Sequence, residues 1–356
     1  MSSKVALSQI VAKLTGSQNV QAVAPSKIGI LLINTGTPSG YGFWPMWRYL
    51  RQFLSDSRIV EAPRVIWYPI LYLWILVTRP FKKGKAYEAI WDMSQNESPL
   101  RRISRNQSTA LQTRLDTEAL PIPVKVTWAF RYGTPSIPSA VNALKASGCD
   151  RLIALPLFPQ YSAATVASCS DVIFETLATH RRQMALHVVP EYYNNPAYIE
   201  AIVDTIRDKI TTVGGDFDAL VVTYHGIPLT YQQKGDPYGG QCHATTALIV
   251  ESLKKRGFGD LDVVTSFQSR LGHKEWLKPY TDELVVEMAK NGYKRILLVA
   301  PGFSSDCLET LEELELDLVE EFKHNGGTEL VYVPCLNDTP SGIEVIEKII
   351  KSEINA

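Results

Sequence analysis

The chain has 356 residues, of which 45% are hydrophobic and 21% charged, and its formal net charge is -1. This composition is typical of a globular protein with a large apolar core, and the length allows two domains of ordinary size. The near-neutral charge, without any long basic run, argues against nucleic-acid binding. The five cysteines are widely spaced and form no CxxC pair, as expected for reduced thiols in a cytosolic protein.

Residues 1–26 lack the continuous apolar stretch of a secretory signal. The sequence leaves two interpretations of this lead open, a disordered segment or a loose amphipathic helix. The first strand pattern begins just after it, so we place the start of the first domain at residue 27.

Three units, each an apolar strand followed by a sharp loop, occur in the same order in both halves of the chain. The predicted strands are 28–33, 124–130 and 151–157 in the first half and 219–222, 261–267 and 296–300 in the second. Helical patterns lie between them at 138–147, 198–210, 244–256 and 281–290. The repeat offset is roughly 190 residues for the first unit and about 140 for the others, so the first half carries an insertion.

Continuous apolar strands that alternate with helices indicate parallel sheets covered on both faces. The sequence therefore predicts an α/β protein of two similar Rossmann-like, doubly wound domains with an active-site cleft between them. We assign residues 27–195 to the first domain, with an insertion at about 41–98, and 196–340 to the second. Residues 341–356 are predicted to form a helix that packs back on the first domain.

The strand ends do not carry the signature of a nucleotide site. No GxGxxG or Walker motif follows any predicted strand. The turns Gly36-Thr37-Pro38 and Gly226-Ile227-Pro228 each contain a proline, which lacks the amide proton that a phosphate cradle uses. We therefore expect no nucleotide.

The most apolar stretch of the chain, 66–77, lies in the insertion. It has roughly a dozen apolar residues, interrupted by Pro69, whereas a membrane-spanning helix needs about 20. Arg64 and Arg79 flank it, and Lys82 follows. One interpretation is a buried core helix. The one we favour is an exposed apolar lip that binds a flat apolar ligand, touches a membrane surface, or does both.

Two neighbouring strand ends carry the residues that are best suited to chemistry. His225 closes the strand at 219–222, and a carboxylate-rich segment, 304–313, follows the strand at 296–300. In an open α/β sheet, loops at the carboxyl ends of the strands form the ligand crevice. Imidazole and carboxylate there suit proton abstraction and also the handling of a divalent transition metal.

The segment after residue 305 predicts a helix that begins at Cys307, with Asp306 as its cap and Glu309 completing a capping box. On a regular helix Glu309, Glu313, Asp317 and Glu320 form one acidic face, and Leu308, Leu311, Leu314 and Leu318 the apolar face. The acidic face is either simply solvated or a path for cations or protons that starts at the cleft.

Several polar residues near the lip suit the recognition of an anion. Arg131, Arg79 and Lys82 are candidates, because guanidinium pairs with carboxylates in a forked geometry. Tyr87, Tyr132, Ser98 and Tyr161 supply hydroxyl groups nearby. Around an apolar lip, such a set indicates a ligand with an apolar body and carboxylate tails.

Taken together, these motifs resemble the ferrochelatase family from about residue 27 to residue 350. The motifs are Thr35-Gly36-Thr37-Pro38, Phe130-Arg131-Tyr132, Pro159-Gln160-Tyr161-Ser162, Tyr224-His225-Gly226-Ile227-Pro228, Gly235-Asp236-Pro237-Tyr238, Gln268-Ser269-Arg270 with Trp276, and the run 306–313. The resemblance implies two Rossmann-like domains around a porphyrin cleft. It also implies insertion of Fe(II) into protoporphyrin IX with release of two protons, the last step of haem synthesis.

The resemblance also implies roles for individual residues. His225 and Glu309 are the expected catalytic and metal-contacting residues, and Asp306 and Glu313 continue an acidic path. The expected porphyrin-binding residues are Thr35, Arg79, Tyr87, Ser98, Arg131, Tyr132, Tyr161, Ser162, Tyr224, Tyr238 and Trp276. Whether His225 first accepts a proton or first binds iron stays open.

Two positions depart from the animal members of the family. Cys307 stands where they have a second histidine, and Ala163 stands where they have a cysteine that ligates a [2Fe-2S] cluster. We therefore expect no iron–sulfur cluster and no permanently bound cofactor, with Fe(II) as a substrate.

Three other functions remain as alternatives: a coproporphyrin ferrochelatase, a cobalt chelatase of similar fold, and a tetrapyrrole carrier without catalysis. The long apolar lip favours the less charged protoporphyrin IX as the substrate. The expected location is cytoplasmic, with peripheral contact at the inner membrane through the lip.

Overall fold

Parallel pairing of apolar strands organises the chain into two four-stranded sheets. The computed structural model describes residues 26–355 except 260, 271 and 273, so the predicted lead lies outside the described residues apart from Ser26. The strands are β1 (Ile28–Gly36), β2 (Val124–Tyr132), β3 (Arg151–Pro156), β4 (Ala185–Val188), β5 (Ala219–His225), β6 (Asp262–Gln268), β7 (Arg295–Val299) and β8 (Glu329–Val333). Their orders, β2-β1-β3-β4 and β6-β5-β7-β8, are the same in both sheets.

The predicted α/β fold of two similar parallel sheets is therefore confirmed. Each sheet has one strand more than the three that the repeat predicted, because β4 and β8 were missed. β4 has only four residues and lies at an edge, where no side chain of the strand is fully buried. β8 is apolar but lies beyond the three units whose loops resemble one another.

Helices cover both faces of each sheet. In the first half they are α1 (Phe43–Leu54), α2 (Arg64–Ile70), α3 (Leu76–Ile90), α4 (Pro99–Asp116), α5 (Ile137–Ala146) and α6 (Ser168–Ala178). In the second half they are α7 (Pro196–Val213), α8 (Leu229–Gln233), α9 (Tyr238–Lys255), α10 (Thr281–Lys290), α11 (Leu308–Leu311), α12 (Leu318–His324) and α13 (Pro340–Asn355). Among the described residues, three π-helical segments interrupt these elements: π1 (Leu71–Ile75), π2 (Ala163–Ala167) and π3 (Glu313–Asp317).

One apolar core extends through both halves. Ile30 of β1 and Leu220 of β5 belong to the same buried cluster, together with Ile202 of α7 and Ile346 of α13. Glu347 of α13 also accepts a hydrogen bond from Arg114 of α4 at 2.7 Å. The terminal helix thus contacts elements of both halves, while the domain boundaries at residues 195 and 340 stay predictions.

The lip segment is exposed on one side and buried on the other. Leu71 and Leu76 are fully buried, whereas Leu73 is 78% and Trp74 70% exposed. This exposure excludes the interpretation of the stretch as a core helix. Throughout the described part of the chain, no helix has the length and apolarity that a membrane crossing requires.

A buried carboxylate, Asp56, anchors the insertion to the first sheet. It accepts hydrogen bonds from Arg131 at 2.5 Å, Tyr132 at 2.7 Å and Ser168 at 2.5 Å, and from the backbone amide of Arg58 at 2.8 Å. Burial alone would raise the pKa of Asp56, but these donors and the charge of Arg131 lower it below the ordinary value of 3.8. Sequence reasoning missed this residue, because the loop around it matches no motif.

We expect Asp56→Asn to lower the free energy of unfolding by about 3 kcal/mol at pH 7, because Arg131 then lacks its counter-charge. Since the pKa of Asp56 is lower in the folded state, its contribution is present above pH 3.8 and is lost as the pH falls through the folded-state value. Urea unfolding measures this loss. The free energy of unfolding of Asp56→Asn should fall below that of the wild type by the same amount at pH 7 and pH 5, and by a smaller amount at pH 3.5.

Asp171→Asn is the matched control. Asp171 pairs with Arg58 at 2.9 Å, but both side chains are about two-fifths exposed, so its removal should cost less than about 1 kcal/mol. Equal losses for the two variants would contradict the anchoring role of Asp56.

Candidate active site

The carboxyl edge of the second sheet brings His225 and Glu309 close together. His225 is the last residue of β5 and pairs in register with Gln268 of β6. The side-chain amide of Gln268 donates to the backbone carbonyl of Glu309 at 2.8 Å. One glutamine therefore ties the loop after β7 to the strand end that carries the histidine.

The hydrogen bonding of His225 leaves its Nε2 atom available for chemistry. Nδ1 lies 2.7 Å from the carbonyl oxygen of Gly226, so we assign the proton to Nδ1 and a lone pair to Nε2. The half-buried ring lies 6.4 Å from the ring of Trp276 and 6.5 Å from that of Phe303, measured between centroids.

Gly226 is required by close packing under this histidine. A Cβ atom at residue 226 would lie 3.0 Å from the carbonyl oxygen of Gln268 and 3.1 Å from Cε3 of Trp276. The glycine lets β5 turn at the cleft while its own amide donates to the same Gln268 carbonyl at 2.8 Å.

The predicted cap of the acidic segment is wrong by one residue. Cys307 is the N-cap of α11, and its amide donates to Thr310 Oγ1 at 3.0 Å. The carboxylate of Asp306 instead accepts from Tyr332 at 2.7 Å and from Asn337 at 2.6 Å. Because these partners hold Asp306 in the interior, it does not cap the helix.

The predicted acidic face on one regular helix is also wrong. Residues 313–317 form π3, in which the amide of Asp317 donates to the carbonyl of Glu312 at 2.9 Å. This wider turn changes the phase of the helix by one residue. Glu309 and Glu313 are consequently half-buried, whereas Asp317 and Glu320 are exposed.

Glu313 lies in an environment that opposes its ionisation. Burial raises the pKa of its carboxyl above the ordinary value of 4.5, and the charge of Glu309 adds to the increase. Hydrogen bonds from Ser269 and the proximity of His225 act in the opposite direction. His225 and Glu309 thus both lie near enough to Glu313 to influence its pKa.

The wall beside Glu309 consists of neutral, protonated groups. Burial raises the pKa of Tyr49 and of Tyr87, and the charge of Glu309 raises both further. The buried thiol of Cys307 shows the same two effects on its pKa. This wall therefore adds no charge of its own beside the Glu309 carboxylate.

A small cavity, with room for about one water molecule, lies where the insertion meets the second half of the chain. It is lined by Thr37, Tyr87, Ile90, Ser98, Pro99, Leu100, Cys307 and Leu308. The structure thus brings the predicted residues Tyr87 and Ser98 next to the segment that carries Glu309. Ser98 is also the N-cap of α4, where its hydroxyl accepts from the amide of Arg101 at 3.3 Å.

The other predicted porphyrin-binding residues form separate groups. Arg131 and Tyr132 are engaged with Asp56, as described above. Ser162 donates to Asp236 at 2.9 Å, and the amide of Tyr161 donates to Gln241 at 2.7 Å. These two bonds join the loop after β3 to the start of α9.

Four predicted residues lie elsewhere. Tyr224 and Tyr238 belong to the apolar core, where the hydroxyl groups of Tyr224 and Thr246 lie 3.1 Å apart. Thr35, near the end of β1, and Arg79, on α3, are both half-buried. Contact of any of these residues with a porphyrin stays a prediction.

Sequence reasoning gave no role to Gln268 and Ser269, although their tripeptide contributed to the resemblance. Gln268 holds the carbonyl of Glu309, and Ser269 donates to Glu313 through both its amide, at 2.9 Å, and its hydroxyl, at 2.5 Å. The signal that could have found them is their position at the end of the strand next to β5.

The described residues contain no group of three or more His, Cys, Asp or Glu side chains arranged to hold a metal ion. All five cysteines are buried free thiols.

Two solved structures share the architecture of this chain. SirB from Bacillus subtilis, solved with Fe3+, has a TM-score of 0.52 at 12% identity and covers 92% of this chain and 95% of its own. A multidomain protein from Deinococcus radiodurans with structural similarity to chelatases, DR2241, has a TM-score of 0.50, also at 12% identity, over 91% of this chain and 55% of its own. At such identities the likeness concerns the fold alone.

Sequence comparison is more specific. The ferrochelatase of Mesorhizobium japonicum is 46% identical over 356 residues, covering 100% of this chain and 99% of the relative. That of Rhizobium johnstonii is 47% identical over 334 residues, covering 94% and 95%. The sequence profile of the ferrochelatase family matches residues 27–354. The chain therefore belongs to the ferrochelatase family, whose known role is in haem synthesis.

Proposed function

We propose that this protein inserts Fe(II) into protoporphyrin IX at the site formed by His225 and Glu309, releasing two protons. One observation supports this assignment of the site. Gln268, which pairs with His225 across the two strands, donates a hydrogen bond to the backbone carbonyl of Glu309. It holds an imidazole and a carboxylate at neighbouring strand ends, which is the pair that metal insertion requires.

His225 acts through Nε2 on the ring nitrogens of the porphyrin. Its Nδ1–H is held by the Gly226 carbonyl, so the basic atom is the one that remains for substrate. As a neutral imidazole it can take a pyrrole proton or serve as the first ligand to iron, and both versions use the same atom. The aromatic rings of Trp276 and Phe303 flank it and suit a flat macrocycle.

Glu309 offers a carboxylate to Fe(II) beside the neutral wall of Tyr49, Tyr87 and Cys307. Glu313 extends the acidic path away from it. Of the two path residues predicted from sequence, this arrangement favours Glu313 over Asp306, because the oxygens of Asp306 already accept hydrogen bonds from Tyr332, Asn337 and Thr310. Fe(II) is a substrate throughout, and the proposal requires no resident cofactor.

We expect His225→Ala to lower kcat for iron insertion about 100-fold, because it removes the base or first ligand. The assay is anaerobic Fe(II) insertion into protoporphyrin IX, followed by the loss of porphyrin fluorescence. His243→Ala is the matched control, since His243 is exposed on α9, and it should keep the wild-type rate.

The outcomes of this assay separate the alternatives. An undiminished rate for His225→Ala would remove the histidine from both versions of the mechanism. Binding without metal insertion by the wild type would indicate a carrier. Faster insertion into coproporphyrin, or of Co(II) in place of Fe(II), would reassign the substrate.

The lip supports a second proposal, that the protein contacts the cytoplasmic face of the inner membrane. Besides Leu73 and Trp74, Phe81 is 64% exposed, and soluble proteins seldom expose a contiguous apolar patch of this kind without a partner. Arg79 and Lys82 lie on the same helix as Phe81, so apolar insertion and attraction to anionic lipid act together.

We expect the wild type to float with vesicles of phosphatidylcholine and phosphatidylglycerol, and the double variant Leu73→Glu, Trp74→Glu to stay at the bottom of the gradient. Two buried carboxylates would oppose insertion of the lip into the interface. Phe174→Glu is the matched control, because Phe174 is also an exposed apolar residue but lies on α6, outside the lip. Wild-type protein that stays at the bottom would contradict membrane contact.

A further inference from the structure

The carboxyl end of β6 holds both acidic residues of the site. Gln268 donates its side-chain amide to the carbonyl of Glu309, and its own side-chain oxygen accepts from Thr223 of β5 at 3.3 Å. The next residue, Ser269, donates to both oxygens of Glu313. Two consecutive residues therefore fix the backbone of one acid and the side chain of the other.

The contact between Ser269 and Glu313 is a two-point clamp. The amide of Ser269 lies 2.9 Å from Oε1 and its hydroxyl 2.5 Å from Oε2 of Glu313. Charge-assisted bonds of this length are stronger than neutral ones, and two of them fix the orientation of the carboxylate as well as its position. Each oxygen still has a lone pair for a further partner.

The backbone of Ser269 is strained in order to make this clamp. Its φ is 64°, in the left-handed region that a serine seldom adopts. Such a conformation is unfavourable for a residue with a side chain and persists only where surrounding contacts impose it. With this backbone conformation, the amide and the hydroxyl of Ser269 both point toward the carboxylate of Glu313.

The clamp acts at a weak point of the helix. Glu313 is the first residue of π3, whose bonding pattern is looser than that of an α-helix. In the described part of the chain, the side chain of Glu313 accepts two hydrogen bonds, and Ser269 donates both of them. Without the hydroxyl, the carboxylate keeps one anchor and can rotate about it.

We propose that Ser269 is a positioning residue for iron delivery, which holds the Glu313 carboxylate in the orientation that passes Fe(II) to Glu309. This inference rests on the proposed function and adds to it the group that sets the geometry of the acidic path. Ser269 itself contacts neither reacting atom; it acts through Glu313. Porphyrin binding does not depend on it.

The test is steady-state kinetics of Ser269→Ala and Ser269→Gly with both substrates varied. Both variants lose the hydroxyl and keep the amide, and glycine also accepts a φ of 64° without strain. We expect the KM for Fe(II) to rise about tenfold in both, as for the loss of one charge-assisted bond, while the KM for protoporphyrin IX stays within about twofold. A residue that merely supports the fold would shift both KM values.

Two controls complete the design. Ser266→Ala makes the same substitution three residues earlier, on β6, at a buried hydroxyl that accepts from Thr281 at 2.9 Å, and it should leave the KM for Fe(II) unchanged. The double variant Ser269→Ala, Glu313→Gln should be no worse than Glu313→Gln alone, because Ser269 acts only through Glu313.

Several results would overturn the inference. One is an unchanged KM for Fe(II) in either variant that lacks the hydroxyl, and another is an equal shift of the two KM values. A third is a KM for Fe(II) in the double variant that is raised by the product of the two single effects. A wild type that inserts no iron contradicts the proposed function, and the inference with it. That failure is visible before any variant is compared.

Discussion

The pairing of β5 with its two neighbours is the constraint on which the rest of this site depends. β5 lies between β6 and β7, and all three strands run parallel, so their carboxyl ends open at one edge of the sheet. The register that pairs His225 with Gln268 decides which residue of β6 stands next to the histidine. A slip of one residue would turn Gln268 to the other face and release the loop that carries Glu309.

The carboxylates of this protein differ in their burial and in their hydrogen bonds. Asp56 and Asp306 are buried and surrounded by donors from several elements, so they hold the scaffold together. Glu309 and Glu313 are only half-buried, and the two oxygens of Glu313 accept their hydrogen bonds from a single residue, Ser269. A buried charge must be matched by donors in the folded protein, and only a carboxylate with spare acceptor capacity can receive a passing cation.

The insertion between β1 and β2 distinguishes the first half from the second. It places an exposed apolar lip on one side of the chain and the buried residues Tyr87 and Ser98 beside the start of α11 on the other. The same segment therefore presents a surface to the surroundings and closes a wall of the site. Asp56, near its start, anchors it through Arg131 and Tyr132, so the position of the lip is coupled to the end of β2.

The sequence by itself determined the two parallel sheets, the insertion and the two strand ends that carry the candidate site. Apolar strands, the sharp turns that follow them and their repeated order are local patterns, and parallel pairing leaves little freedom in how they assemble. The same patterns singled out His225 and the carboxylate-rich segment after β7 without any knowledge of the packing.

Only the tertiary structure decided how the polar groups are partnered. The cap at Cys307, the wide turn at Glu313 and the clamp by Ser269 depend on contacts between residues far apart in the chain. The predicted acidic face assumed a helix of constant period, but the π segment shifted its phase. Hydrogen bonds and burial are properties of assembled neighbours, so no periodicity within one segment could reveal which carboxylates hold the fold and which face the cleft.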